Sequence, residues 1–129
     1  MRLWHYKLIS FLPRQQLLGQ HRECCALRGN GWGKRHKTVN YVFHHSPHQL
    51  YYYHMLIRSE MIKRGYHFDE SWREKEYRGK VCPPYSREEY ERFPVEASSY
   101  PEHDDEYLRE CIANLQNKGV KIDMERICQ

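Results

Sequence analysis

SPHQLYYYHMLIRSEMIKRG, residues 46–65, is the stretch that decides the fold. Ser46 stands where a helix N-cap belongs, Pro47 takes the first helical position, and Gln49 follows at the third, the arrangement of a capping box. Leu50, Tyr53, Ile57 and Met61 then recur every three or four residues, so they fall on one helix face. Lys63-Arg64-Gly65 closes the segment with cations in the last turn and a glycine beyond it. An amphipathic helix with both ends marked needs further helices to cover its apolar stripe.

Two more can be read on either side. Upstream, a helix is expected from about Pro13 to Leu27, with proline where a missing N–H costs nothing and Gly29 just past the end. Leu17, Leu18, Cys24, Cys25 and Leu27 supply its apolar surface. Downstream, a third is expected to begin near Pro101, with Glu102, Asp104, Asp105 and Glu106 at its positive end, and to close at Lys118-Gly119. Leu108, Cys111, Ile112 and Leu115 form its stripe. Val39–Phe43 reads equally as a strand or one helical turn. Residues 69–99 contain Pro83, Pro84 and Pro94 and are expected to wrap the surface with little regular structure. These readings predict a mainly α protein, a compact single-domain bundle of about three helices with long irregular connections over residues 1–118, followed by a short C-terminal tail, 119–129.

With 129 residues there is room for one modest core. No apolar run has the length of a membrane span, and Met1–Lys7 lacks the apolar segment of a signal peptide. Five cysteines, two of them adjacent, suit no disulfide framework and read as reduced thiols of a cytoplasmic protein.

Charge is divided unevenly. Residues 1–68 hold 11 Lys and Arg against 2 Asp and Glu, whereas residues 69–129 hold 10 against 15. A basic face of this kind is built to meet an anion, nucleic acid above all. Glu23 is the single carboxylate in the first 59 residues. In helical projection it shares a face with Gln16, Gly19, Gln20, Ala26 and Leu27, mostly small or amide side chains that leave room for a ligand. A solvated Glu23 paired with Arg14 or Arg22 is the plainer alternative.

Between the first two helices lies Arg28-Gly-Asn-Gly-Trp-Gly-Lys-Arg-His-Lys37. Its glycines permit close approach to a phosphate, Lys34, Arg35 and Lys37 supply charge, and Trp32 offers a stacking surface. An ordinary loop with Trp32 folded into the core fits the same residues. No nucleotide cofactor is implied, because neither the Walker nor the dinucleotide fingerprint is present. His44, His45, His48 and His54 are the densest of nine histidines, but they lack the spacing of a ligand set and no metal site is expected.

Leu8-Ile9-Ser10, Leu12, Gln15, Leu17 and above all Arg22-Glu23 resemble the start of the pyrimidine-dimer DNA glycosylase family, at the same distance from the initiator Met. Glu60-Met-Ile-Lys-Arg-Gly-Tyr66 is similar to the end of that family's second long helix. The resemblance implies a compact helical enzyme whose N-terminal α-amine attacks the sugar C1′ of a damaged nucleotide, forming a Schiff base that β-elimination resolves by cutting the strand. It implies Met1 and Glu23 as the catalytic pair and Arg22 as a phosphate contact; with Arg2, Arg28 and the loop residues Trp32, Lys34, Arg35 and Lys37, this completes the expected contacts to DNA. The partner would be double-stranded damaged DNA, bound by a monomer without cofactor. Position 2 is Arg, and Gln16 and Ala26 stand where the family pattern has a His and an Arg. A non-catalytic nucleic-acid-binding domain on the same fold, and a protein-interaction module using the acidic half, are the competing readings.

Overall fold

The computed structural model describes residues 2–34, 38–93 and 99–127. Among these the secondary structure is helical: α1 (Arg14–Arg28), α2 (Pro47–Lys63), α3 (Arg87–Glu91), α4 (Asp105–Asn117) and α5 (Met124–Ile127), with short 3-10 turns at Tyr6–Phe11, Asn40–His44 and Glu70–Arg73. The protein is therefore a compact all-α fold built around three longer helices, as the sequence predicts.

The α2 stripe is the centre of the core. Leu50, Tyr53, Ile57 and Met61 are all buried and meet Leu17, Cys24 and Leu27 of α1, Cys111, Ile112 and Leu115 of α4, and Leu3, Trp4, Leu8, Ile9 and Leu12 of the N-terminal segment. Each such side chain removed from water contributes on the order of 1.5–3 kcal/mol. The Ser46 hydroxyl accepts from the His48 N–H at 3.2 Å, capping α2. At its other end Gly65 adopts φ +80°, and the Tyr66 N–H reaches the Met61 carbonyl at 2.8 Å. Only a residue without a Cβ takes that turn without strain.

α4 starts later than the sequence suggests. The side chain of Asp104 caps it by accepting from the Tyr107 N–H at 2.8 Å, so Pro101 and Glu102 fall in the preceding turn and Asp105 and Glu106 form the acidic first turn. Asp104 wins the start because an Asx cap satisfies an N–H that Pro101 and Glu102 would leave open. Val39–Phe43 resolves as a 3-10 turn, Asn40–His44. Beyond Gly119, Ile122 enters the core and Val120 packs against it.

The mostly irregular stretch after residue 69 is held by reciprocal stitching to the end of α1. Arg28 sends its guanidinium to the carbonyls of Trp72, Glu74 and Tyr77. In return Arg78 donates to the carbonyls of Arg28 and Gly29, and the Tyr85 hydroxyl donates to Arg28. These bonds answer the question any long loop raises, where its backbone groups find partners.

Candidate functional site

The N-terminal segment reaches the site without regular structure, and side chains from three helices supply the partners its backbone lacks. The Gln20 amide of α1 donates from Nε2 to the Arg2 carbonyl at 2.9 Å and accepts at Oε1 from the Trp4 N–H at 3.0 Å. From α2, the Tyr53 hydroxyl lies 2.6 Å from the Trp4 carbonyl. From α4, the Tyr107 hydroxyl donates to the Leu3 carbonyl at 2.5 Å. Nδ1 of His103 accepts from the Tyr6 N–H at 3.2 Å. Every one of these bonds is long-range, so the segment is fixed by the assembled bundle.

This arrangement opens a cavity of about 410 Å³ lined by Arg2, Trp4, Gln15, Gln16, Gly19, Gln20, Arg22, Glu23, Thr38, Asn114 and Lys118. The face read from helical projection is its floor: Gln16, Gly19, Gln20 and Glu23 all line it. Gly19 leaves the space that a side chain would take; an added Cβ there would lie 3.8 Å from Nη2 of Arg22. Glu23 is 6% exposed, a carboxylate set into the wall of a cavity whose other charged groups are the cations Arg2, Arg22 and Lys118. Arg2 is anchored on the far side by Glu110 at 3.3 Å. The pairing of one buried carboxylate with several cations suits a polyanion that develops positive charge at one point while it reacts.

The other expected contacts are placed differently. Arg28 is 1% exposed and cannot hold a phosphate, a correction to the sequence reading. Its two Nη atoms make four bonds: to the carbonyls of Trp72, Glu74 and Tyr77, and to Nδ1 of His54 at 2.9 Å. The Tyr51 and Trp72 rings flank it at 5.4 and 4.9 Å. Trp32 packs edge-on against Phe43 and Tyr85, at 5.1 and 5.6 Å between centroids, and borders a separate cavity with Arg78, Arg92 and Phe93. Of the two readings of the glycine loop, packing is the one that Gly29 and Gly31 serve. A Cβ on Gly29 would meet the Arg78 carbonyl at 2.9 Å, and one on Gly31 would meet the Ala26 carbonyl at 2.7 Å. Lys34 is exposed and lies outside the Glu23 cavity. Met1, Arg35 and Lys37 lie outside the described residues. Trp4, Thr38, Asn114 and Lys118 were not anticipated; the only sequence signal for the last two is their i,i+4 spacing on one helix.

Three potential metal donors, His21, Cys25 and His54, lie within 4.8 Å of one another on α1 and α2. Their hydrogen bonding argues for a different use. Arg28 can only donate, so Nδ1 of His54 is an acceptor and the ring proton sits on Nε2, pointing at Nδ1 of His21 2.9 Å away. A metal on Nε2 would require either the imidazolate or rupture of the Arg28 bond, beside a guanidinium charge. The group is a proton-ordered histidine pair under Arg28. Burial, with Arg28 close by, holds His54 well below the ordinary histidine range. Burial pushes the Cys25 thiol up to about 12, away from the reactive thiolate.

No described helix is long and apolar enough to cross a membrane. Among known proteins, the family model described as pyrimidine dimer DNA glycosylase matches residues 1–74. That span is more than half of the chain and holds the Arg22-Glu23 pair, Gln20 and the whole of α2. No curated protein and no solved structure matches. The chain belongs to the pyrimidine dimer DNA glycosylase family.

Proposed function

We propose that this member of the family is a DNA repair glycosylase that also cleaves the strand at the resulting abasic site. Its nucleophile would be the α-amine of Met1. An α-amine titrates near ~7.7–8.0, so a useful fraction is neutral at physiological pH, whereas a lysine amine is almost wholly protonated. The amine attacks C1′ of the damaged nucleotide, the glycosidic bond breaks, and the base leaves with a proton. The nitrogen and C1′ become an imine as the sugar ring opens. Loss of a C2′ proton then expels the 3′ phosphate, and hydrolysis of the imine releases the enzyme. Glu23 steadies the positive charge that grows on the sugar and carries the protons between these steps. Arg22 and Lys118, both exposed and both lining the cavity, hold the flanking phosphates. Arg2 stays close to the reacting centre.

The observation that carries the reading is the shared cavity: Glu23, buried on α1, lines the same cavity as Arg2, the residue that follows Met1 in the chain. The partner is double-stranded damaged DNA, bound by a monomer in the cytoplasm. The reacting sugar is shielded in B-form DNA, so the duplex must be distorted to reach Glu23.

Borohydride reduction with abasic-site DNA tests this directly, because an imine is reduced to a stable covalent adduct. The expected result is trapping by the native chain and none after acetylation of its α-amine. DNA binding with a steep salt dependence but no adduct would leave a non-catalytic binding domain instead.

A further inference from the structure

Gln20 is the side chain on which the geometry of this site turns. It is 5% exposed, and all its polar contacts go to the N-terminal segment or to the side chain that clamps it. Nε2 donates to the Arg2 carbonyl and Oε1 accepts from the Trp4 N–H, so the amide spans Leu3 as a neighbouring β-strand residue would. The amide orientation is fixed by those partners: reversed, it would set N–H against N–H and oxygen against oxygen. Oε1 also lies 2.8 Å from the Tyr53 hydroxyl, itself bound to the Trp4 carbonyl, which locks the amide from behind. Glu23 follows Gln20 by three residues on α1, on the same face and nearly one turn further along. One rigid helix turn thus carries both the clamp and the carboxylate.

We infer that Gln20 is a positioning residue that ties the chain at Arg2 and Trp4 to the helix turn bearing Glu23, and so couples the start of the chain to that carboxylate. This rests on the proposed use of the N-terminal amine. Gln20 touches neither substrate nor reacting atoms in this role; it sets the distance between the two groups that do. A segment with no secondary structure of its own holds its direction through side-chain partners, and of these Gln20 is the one on the helix turn that bears Glu23; a displacement of about 1 Å is enough to cost ~100-fold in rate.

The test measures the coupling of the amine to Glu23, independently of catalysis. The α-amine is labelled with ¹³C-methyl groups and titrated by NMR in four proteins: the native chain, Glu23→Gln, Gln20→Met, and the double variant. A carboxylate within ~4–6 Å favours the charged amine, so Glu23→Gln should lower the amine pKa by about one unit in the native background. In the Gln20→Met background, which keeps the bulk but loses both bonds, the same substitution should have less than about a third of that effect. Equal shifts in the two backgrounds overturn the inference, and so does no shift in the native one. Should Gln20→Met fail to fold, Gln20→Glu keeps the acceptor for Trp4 but sets an oxygen against the Arg2 carbonyl in place of the donor, and its added charge cancels in the comparison. In single-turnover trapping, Gln20→Met should react at least ~10-fold more slowly with DNA affinity unchanged. If coupling behaves as expected but the native chain forms no adduct, the enzymatic reading fails while the role of Gln20 stands.

Discussion

Glu23 and Arg28 lie on the same helix, α1, and folding buries both charges, yet they end in opposite circumstances. Arg28 is sealed: its Nη atoms are spent on three carbonyls and a histidine, with aromatic rings on either side. Glu23 faces a cavity of about 410 Å³ edged by cations. Burying a charge is costly, and it persists where the fold satisfies it or where function needs it. Arg28 belongs to the first case, holding the irregular 70–85 stretch on the bundle. Glu23 is distinguished by the open space it faces, where the proposed chemistry would use it. Burial alone does not separate a structural charge from a functional one; the open space in front of it does.

The sharpest way to break the comparison is to neutralise each charge in turn. Glu23→Gln keeps the shape and should lower the rate of strand cleavage by ~10²–10⁴-fold, measured in single turnover on abasic-site DNA. Its stability in urea should change by less than about 1 kcal/mol. Arg28→Lys should do the reverse. A single ammonium cannot serve three separate carbonyls and His54, so a loss of about 3 kcal/mol or more is expected from the urea midpoint. The fraction that remains folded should bind DNA like the native chain. A stable Arg28→Lys variant with weakened DNA binding would exchange the roles assigned here.

The histidines around these two regions sharpen the comparison in another way. His5 belongs to the N-terminal segment and stacks on His103 beneath it; His21 and His54 pair beside Arg28. All four are held below their ordinary range, mainly by burial. For His103 the value falls to about 3, with burial the largest cause and His5 the next. A folded-state pKa below the unfolded value of 6.5 means that the unfolded chain binds more protons between the two. The stability contributed by His103 is therefore complete above pH 6.5 and is lost as pH falls from there toward 3. The slope approaches ~1.4 kcal/mol per pH unit for each such histidine. Urea midpoints between about pH 7.5 and 4.5 should show the decline. His103→Asn, which keeps an acceptor for the Tyr6 N–H, should flatten it by one histidine's share; an undiminished slope would remove His103 from the account.

What the sequence made legible follows the range of the interactions concerned. α2 could be read whole, because its cap, stripe and glycine stop all lie within a few residues of one another. The cavity floor was legible for the same reason, since Gln16, Gly19, Gln20 and Glu23 are neighbours on one helix face. Arg28 was misread because its partners Trp72, Glu74 and Tyr77 lie 44 to 49 positions away, and a basic residue next to a glycine loop carries no local mark of burial. Gly29 and Gly31 look like phosphate-loop glycines, yet the atoms that exclude a Cβ there are carbonyls of Arg78 and Ala26. Asn114 and Lys118 reach the cavity only through the packing of α4 on the bundle, which periodicity cannot reveal.

The smallest expected effect is also the most discriminating, because it compares two arginines of α1 in one measurement. Arg22 is exposed at the cavity rim and Arg28 is enclosed. If Arg22 neutralises a phosphate, Arg22→Gln removes one released counterion, so the slope of log affinity against log salt should become shallower by ~0.9. Affinity at moderate salt should fall only severalfold, and by the same factor on damaged and undamaged duplexes, because a phosphate contact carries no lesion information. Arg28→Lys, measured on folded protein at low temperature, should leave the slope where it was. An unchanged slope for Arg22→Gln would move the phosphate contact to Lys118 or Lys34, whose single substitutions would then carry the loss. The cavity would remain, with its cations facing the backbone from α4 or the loop rather than from the helix that bears Glu23.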